Sequence, residues 1–195
     1  DGSVEVVSDY GTDMAITDFD GDGRPDIITS GYFTAGSYHV TIRRNITKTS
    51  GTITVASKLN YSIGQSPVGI AIGDIDGDGK VDIAVADDTN DNFSLLKNTS
   101  SPAAIAMAPV VAFPSGINPV SIALSDLDAD GKPDVVLGDI SNKVAAYTNT
   151  STAGTFSFAA RLEFVTENTV TALAINDFDG DGKQDILASG NSGVV

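Results

Sequence analysis

Apolar and polar positions alternate along the chain in a pattern that repeats four times. Met14-Ala15-Ile16, Ile70-Ala71-Ile72, Ile122-Ala123-Leu124 and Leu173-Ala174-Ile175 are short runs in which large and small apolar side chains alternate. Such a run predicts a strand buried on both faces. Each run enters an Asp-rich polar stretch, and a second apolar strand follows at Ile27-Ile28, Ile83-Ala84-Val85, Val135-Val136-Leu137 and Ile186-Leu187. A third strand is predicted through Val40 and Ile42, Phe93 and Leu95, and Val144 and Ala146, each closing on an Asn (Asn45, Asn98, Asn149). A fourth ends on an aromatic residue, Tyr61, Phe113 or Phe164, 13 residues before the next polar stretch. The most apolar segment, Pro102 to Pro114, is broken by Pro109 and reads as a strand. No stretch carries helical periodicity.

The polar stretches begin at Asp18, Asp74, Asp126 and Asp177, so successive repeats span 56, 52 and 51 residues. A period near 50 with four antiparallel strands per unit matches one blade of a β-propeller. The predicted fold is therefore all-β, with blades of four antiparallel strands and an Asp-rich loop between the first two strands of each. All 195 residues form one repeat domain of about four blades, or a piece of a larger one. Val4 to Val7 supplies a fourth-type strand ahead of the first loop, and Val194-Val195 begins a third strand after the last. Ring closure by pairing these two ends and a cut through a longer propeller would look alike.

The loops read D-x-D-x-D-G-x-x-D. Positions 1, 3, 5 and 9 are Asp18, Asp20, Asp22 and Asp26; Asp74, Asp76, Asp78 and Asp82; Asp126, Asp128, Asp130 and Asp134; and Asp177, Asp179, Asp181 and Asp185. Carboxylates at alternate positions of a tight loop converge, and four of them repel unless a cation sits among them. Ca²⁺ takes 6–8 oxygen ligands at about 2.3–2.6 Å. The expected cofactor is Ca²⁺, about four ions, one per loop. Position 6 is glycine (Gly23, Gly79, Gly131, Gly182), as a sharp turn needs. Position 7 (Arg24, Lys80, Lys132, Lys183) is expected to offer its backbone carbonyl while its side chain points outward. These are not EF-hands, because position 12 is Thr29, Val85, Leu137 or Ala188 rather than Glu, so the ninth-position Asp closes the site. Ala129 stands where the other loops have Gly21, Gly77 and Gly180. If that position is left-handed, Ala costs on the order of 1 kcal/mol, which would make the third site slightly weaker.

Residues 70–86, Ile-Ala-Ile-Gly-Asp-Ile-Asp-Gly-Asp-Gly-Lys-Val-Asp-Ile-Ala-Val-Ala, resemble the FG-GAP (VCBS-type) repeat. The resemblance covers nearly the whole chain. It implies propeller blades with Ca²⁺ in the loop between the first two strands, and it is nearer to bacterial secreted members than to the integrin α-chain.

Composition narrows the function classes. The formal charge is −15, and sixteen of the 26 acidic residues lie in the four loops; the other ten are balanced by eleven Lys and Arg. An acidic chain without a basic stripe is not expected to bind nucleic acid. It has no run of about 18 apolar residues, so no membrane-spanning helix is predicted. Cysteine is absent, which excludes disulfides, thiolate metal sites and a cysteine nucleophile. His39 is the single histidine, set on a strand between Tyr38 and Val40, and no nucleophile triad is built around it. Asp87 and Asp139 recur at equivalent turns and are read as structural. Asn45, Asn98 and Asn149 lie in glycosylation sequons whose recurrence likewise favours a turn role. The expectation is a non-enzymatic module, secreted or displayed at the cell surface and of bacterial type. It would bind a protein or a glycan, or support other domains of a larger protein. The lectin alternative is weakened by the absence of Trp and an aromatic content of 7%.

Overall fold

The computed structural model describes residues 11–34, 37–48, 53–116, 118–190 and 193–194, and these form strands, turns and loops with no helix. The strand expected at Val4 to Val7 lies outside the described residues, as does Val195. Four antiparallel sheets follow one another along the chain. The first blade is β1 (Gly11–Thr17), β2 (Asp26–Thr34), β3 (Ser37–Arg43) and β4 (Leu59–Ser62). The second is β5 (Pro67–Gly73), β6 (Asp82–Asp87), β7 (Asn92–Leu96) and β8 (Val111–Pro114). The third is β9 (Pro119–Ser125), β10 (Asp134–Asp139), β11 (Lys143–Tyr147) and β12 (Leu162–Val165). The fourth holds β13 (Val170–Asn176), β14 (Asp185–Gly190) and β15 (Gly193–Val194). Strands within each blade pair in chain order, so every Asp-rich loop joins a first strand to a second.

Burial shows how the blades stack. In β6 every residue is buried. Ile83 and Val85 pack toward the first blade with Phe19, Ile28, Val40 and Ile42. Ala84 and Ala86, on the opposite face, join Phe93, Leu95, Val135, Leu137 and Tyr147 of the second and third blades. Strand β10 is likewise wholly buried, and its Val136 faces Val170 and Ala188 of the fourth blade. The core is thus three apolar layers between four sheets.

Double burial was expected of the first strands, and the structure moves it to the second. β5 and β9 are largely half-buried, and β1 is mostly exposed. First strands form one edge of each sheet and lie side by side, β1 against β5, β5 against β9, and β9 against β13. An edge strand has an unpaired row of backbone groups. The neighbouring blade satisfies some of them: Ile70 N donates to Asp13 Oδ2 at 3.0 Å, and Thr12 Oγ1 donates to Pro67 O at 2.7 Å. No packing of similar extent joins β13 to β1 among the described residues. Met14 and Ile16, whose counterparts Ile70 and Ile72 face the preceding blade, are therefore 64% and 61% exposed.

The apolar segment between Pro102 and Pro114 is a strand only in its last four residues. Pro102 and Pro109 cannot donate to a ladder. The intervening chain makes a turn tied by the bridge Asn98–Met107.

Candidate metal centres

Each loop is a tight knot drawn by its own carboxylates. The amide of position 5 donates to Oδ1 of position 1 at 3.0–3.1 Å in all four loops. The amide of position 6 donates to Oδ2 of the same Asp at 2.8–2.9 Å. This winding needs left-handed backbone at positions 4 and 6. Gly21, Gly77 and Gly180 have φ of 73°, 76° and 80°, and Ala129 sits at 61° without glycine's freedom.

The outcome is four convergent carboxylate groups. In the first two loops the positions 1, 3 and 5 oxygens (Asp18, Asp20, Asp22; Asp74, Asp76, Asp78) lie within 4.8 Å of one another. In the last two, positions 1, 3 and 9 (Asp126, Asp128, Asp134; Asp177, Asp179, Asp185) do so. Oxygen-only carboxylate sets of this size fit a hard cation such as Ca²⁺. Asp130 and Asp181 at position 5 take no part in these clusters but still accept the amides of Lys132 and Lys183 at 2.9 and 2.8 Å.

The ninth-position Asp, expected to close every site, joins the convergent cluster only in the last two loops, and it also has a structural role. Asp26, Asp82 and Asp134 are buried, and each bridges its own loop to its third strand. Asp82 accepts Ile75 N at 3.1 Å and Asn98 N at 2.8 Å; Asp134 accepts Leu127 N at 2.8 Å and Asn149 N at 2.7 Å. Asp26 holds Phe19 N and Asn45 N in the same way. Each oxygen keeps a second lone pair for a cation. Burial raises Asp82 from 3.8 to about 6, and it raises Asp26 and Asp134 as well.

Of the position 7 side chains, Lys183 lies outward as expected, at 80% exposure, whereas Arg24 and Lys80 do not. Arg24 turns back onto Asp22 and donates to Asn45 O, and Lys80 Nζ donates to Ser100 O at 2.8 Å. Lys132 and Lys183 lie 3.9 and 3.6 Å from the position 5 Asp of their own loops. Two further cations escaped the sequence reading. Arg44 binds Asp20 and Asp22, at 2.5 and 2.8 Å, and Lys97 binds Asp76 and Asp78. The signal was their shared place one residue before Asn45 and Asn98.

The first and second loops are also part of the next blade's interface. Asn98 Nδ2 donates to Phe19 O and to Val81 O, at 2.8 and 3.0 Å. Asn149 Nδ2 repeats this with Ile75 O and Pro133 O, both at 2.8 Å. Ala103 N and Gly154 N donate across the same interfaces to Asp20 and Asp76. The position 2 side chains Phe19 and Ile75 are buried, whereas Phe178, with no described blade beyond it, is 53% exposed. Asn98 and Asn149 are about 1% exposed with both amide hydrogens engaged, so these two sequons are structural turns.

Asp87 is buried and accepts Gln65 N, Thr89 N, Asn90 N and Asn90 Nδ2, and Asp139 holds Ser141 and Lys143 similarly. His39 is half-buried on β3 opposite Gly31 and Ser62, with Nδ1 lacking a partner among the described residues.

The profile of the FG-GAP-like repeat matches three times, over residues 18–85, 74–137 and 126–188. The chain belongs to the FG-GAP-like repeat family. No curated protein matches it significantly. Among solved structures it is similar to the Bacillus licheniformis rhamnogalacturonan lyase PL11, with a TM-score of 0.58 and 18% identity over 94% of this chain. The match takes in 41% of that protein, so the chain spans less than half its length. At this identity the likeness concerns the fold.

Proposed function

We propose that this FG-GAP-like chain is a calcium-stabilised, non-catalytic propeller module that works outside the cell as a rigid surface for protein binding or adhesion. The observation that carries the calcium part is the convergence of three carboxylate oxygens within 4.8 Å in every loop. Without a metal ion the four carboxylates of each loop outnumber the side-chain cations set against them, so binding free energy adds to folding free energy. Extracellular calcium modules commonly bind at about 10⁻⁴–10⁻³ M, concentrations met outside cells. That is the physical basis for the location.

The test is a thermal melt with saturating calcium and with chelator. Chelation is expected to lower the midpoint markedly, and Asp76→Ala and Asp179→Ala each to reproduce part of the fall. An unchanged midpoint in protein stripped of metal would refute the reading. Pull-down against candidate surface proteins, with and without calcium, tests the adhesion part.

A second reading is favoured by the structural neighbour, an enzyme named for rhamnogalacturonan: a carbohydrate-associated role, either as a lectin or as support within a larger secreted protein. Phe93, Phe113, Phe158 and Tyr147 are consumed in an interblade aromatic cluster and are not free as sugar platforms. Binding on a glycan panel that includes rhamnogalacturonan fragments would shift the assignment to this second reading.

A further inference from the structure

The four loops share one sequence pattern but not one charge environment. Arg44 and Lys97 occupy the same register, immediately after β3 and β7, and each spans the position 3 and position 5 carboxylates of its own blade's loop. Both are mostly sheltered: their side chains are 19% and 17% exposed, and the carboxylates they share at position 3, Asp20 and Asp76, are 0% exposed. In the third blade the same register, one residue before Asn149, holds the neutral Thr148. Lys132 lies 3.9 Å from Asp130, and Lys183 of the fourth blade lines the same cleft as Asp126 and Asp128, but among the described residues no side-chain cation is paired with both the position 3 and position 5 carboxylates of that loop. In the second loop Lys80 is turned away onto Ser100 O, so Lys97 is the cation facing its cluster.

We propose that Arg44 and Lys97 are resident counter-cations that lower the divalent-cation affinity of the first and second loops, and that the third loop lacks such a bridging cation. This rests on the calcium reading above. A bound divalent ion must share the Asp76 and Asp78 carboxylates with the Lys97 ammonium, and the Asp20 and Asp22 carboxylates with the Arg44 guanidinium. Ligand charge count sets the affinity of calcium sites over decades. One unit charge acting on a divalent ion at about 5 Å, in a solvent-like dielectric with salt, corresponds to about tenfold in affinity. The resident cation also holds two facing carboxylates together at low calcium. Filling of each of these loops would then require higher calcium than the same loop would without its cation. The left-handed Ala129 acts in the opposite direction on the third loop, so the informative comparison is within one loop, between variants.

The measurement is a calcium titration of the full chain followed by the amide resonances of Gly79 and Gly131, one reporter per loop. In Lys97→Thr, which copies the third blade, the Gly79 midpoint is expected at about tenfold lower calcium. In Thr148→Lys the Gly131 midpoint is expected at about tenfold higher calcium. Lys97→Arg, which keeps the charge, is expected to leave Gly79 unchanged. Amide dispersion outside the loops reports the fold in each variant. A Gly79 midpoint in Lys97→Thr that is unchanged or higher would make Lys97 a prop for the loop and overturn the proposal. Unmoved resonances of Gly23, Gly79, Gly131 and Gly182 at millimolar calcium in the unaltered chain would instead overturn the calcium reading, and the proposal with it.

Discussion

Asn149→Ala isolates the interblade staple. The side chain makes three hydrogen bonds: Nδ2 to Ile75 O and to Pro133 O, both at 2.8 Å, and Oδ1 from Ser151 N at 2.9 Å. Its backbone amide, bonded to Asp134, is untouched by the substitution. Each lost bond is worth about 1 kcal/mol net, and buried partners left unpaired cost about 1–3 kcal/mol each. The surroundings are closed to water, since Asn149 is 1% and Ile75 0% exposed. The expected loss is therefore about 3–5 kcal/mol. For a chain of this size that lowers the melting midpoint by roughly 10 °C.

The internal control is Asn45→Ala. Asn45 occupies the same register in the first blade, which has no described blade before it, and its Oδ1 accepts Thr47 N at 3.0 Å. Its loss is expected to cost about 1 kcal/mol. Urea denaturation at fixed millimolar calcium measures both, read as the shift in midpoint at constant slope. If Asn149→Ala costs no more than Asn45→Ala, the bonds that cross the blade boundary do not stabilise the array, and the coupling of loop to interface is refuted.

Three other outcomes are expected. Ala129→Gly relieves a left-handed alanine, worth about 1–2 kcal/mol, but gives back about 0.5–1 kcal/mol of unfolded-chain entropy. A small rise in melting midpoint, about 2 °C, is expected, and a fall would show that the φ of 61° is not strained. Ile75→Ala is expected to cost about 2–5 kcal/mol and Phe178→Ala less than about 1 kcal/mol, because the first is buried against the next blade and the second is not; equal losses in chemical denaturation would contradict the stacking order. In chelator, burial keeps Asp82 protonated to about 6 in the folded state against 3.8 in a model peptide. The folded chain then binds more protons between these values, so metal-free stability falls as pH rises from about 4 to 6. Asp26 and Asp134 shift in the same direction. Melts across that range that rise with pH would count against it.

The repeat made most of the fold legible. Strand order, the loop between first and second strands, the absence of helix in the described residues and the sixteen Asp positions all follow from four aligned copies. What a single repeat cannot reveal is which face meets a neighbour. Ile70-Ala71-Ile72 and Ile83-Ala84-Val85 look alike as sequence, yet one is an edge strand and the other is enclosed between two sheets. Blade stacking makes that difference, and stacking is a contact between repeats. The same holds for Arg44 and Lys97, to which the repeat pattern assigns no role until the fold sets them over the loop.

The conserved geometry of loop, Asn and neighbouring turn across the two interior seams makes the unit of stability something other than a blade. Asp76 accepts Lys97 from its own blade and Gly154 N from the next, while Ile75 of the same loop gives its side chain to the interblade core and its carbonyl to Asn149. Asp20 and Phe19 repeat this with Arg44, Ala103 and Asn98. A change in the charge of one loop therefore acts at two places, within its blade through the cation and across the seam through the amide. In repeat arrays, stability is set by intrinsic unit terms and nearest-neighbour terms. Here the position 3 carboxylate of the first two loops contributes to both terms, so a change in its charge is felt within the blade and across the seam together.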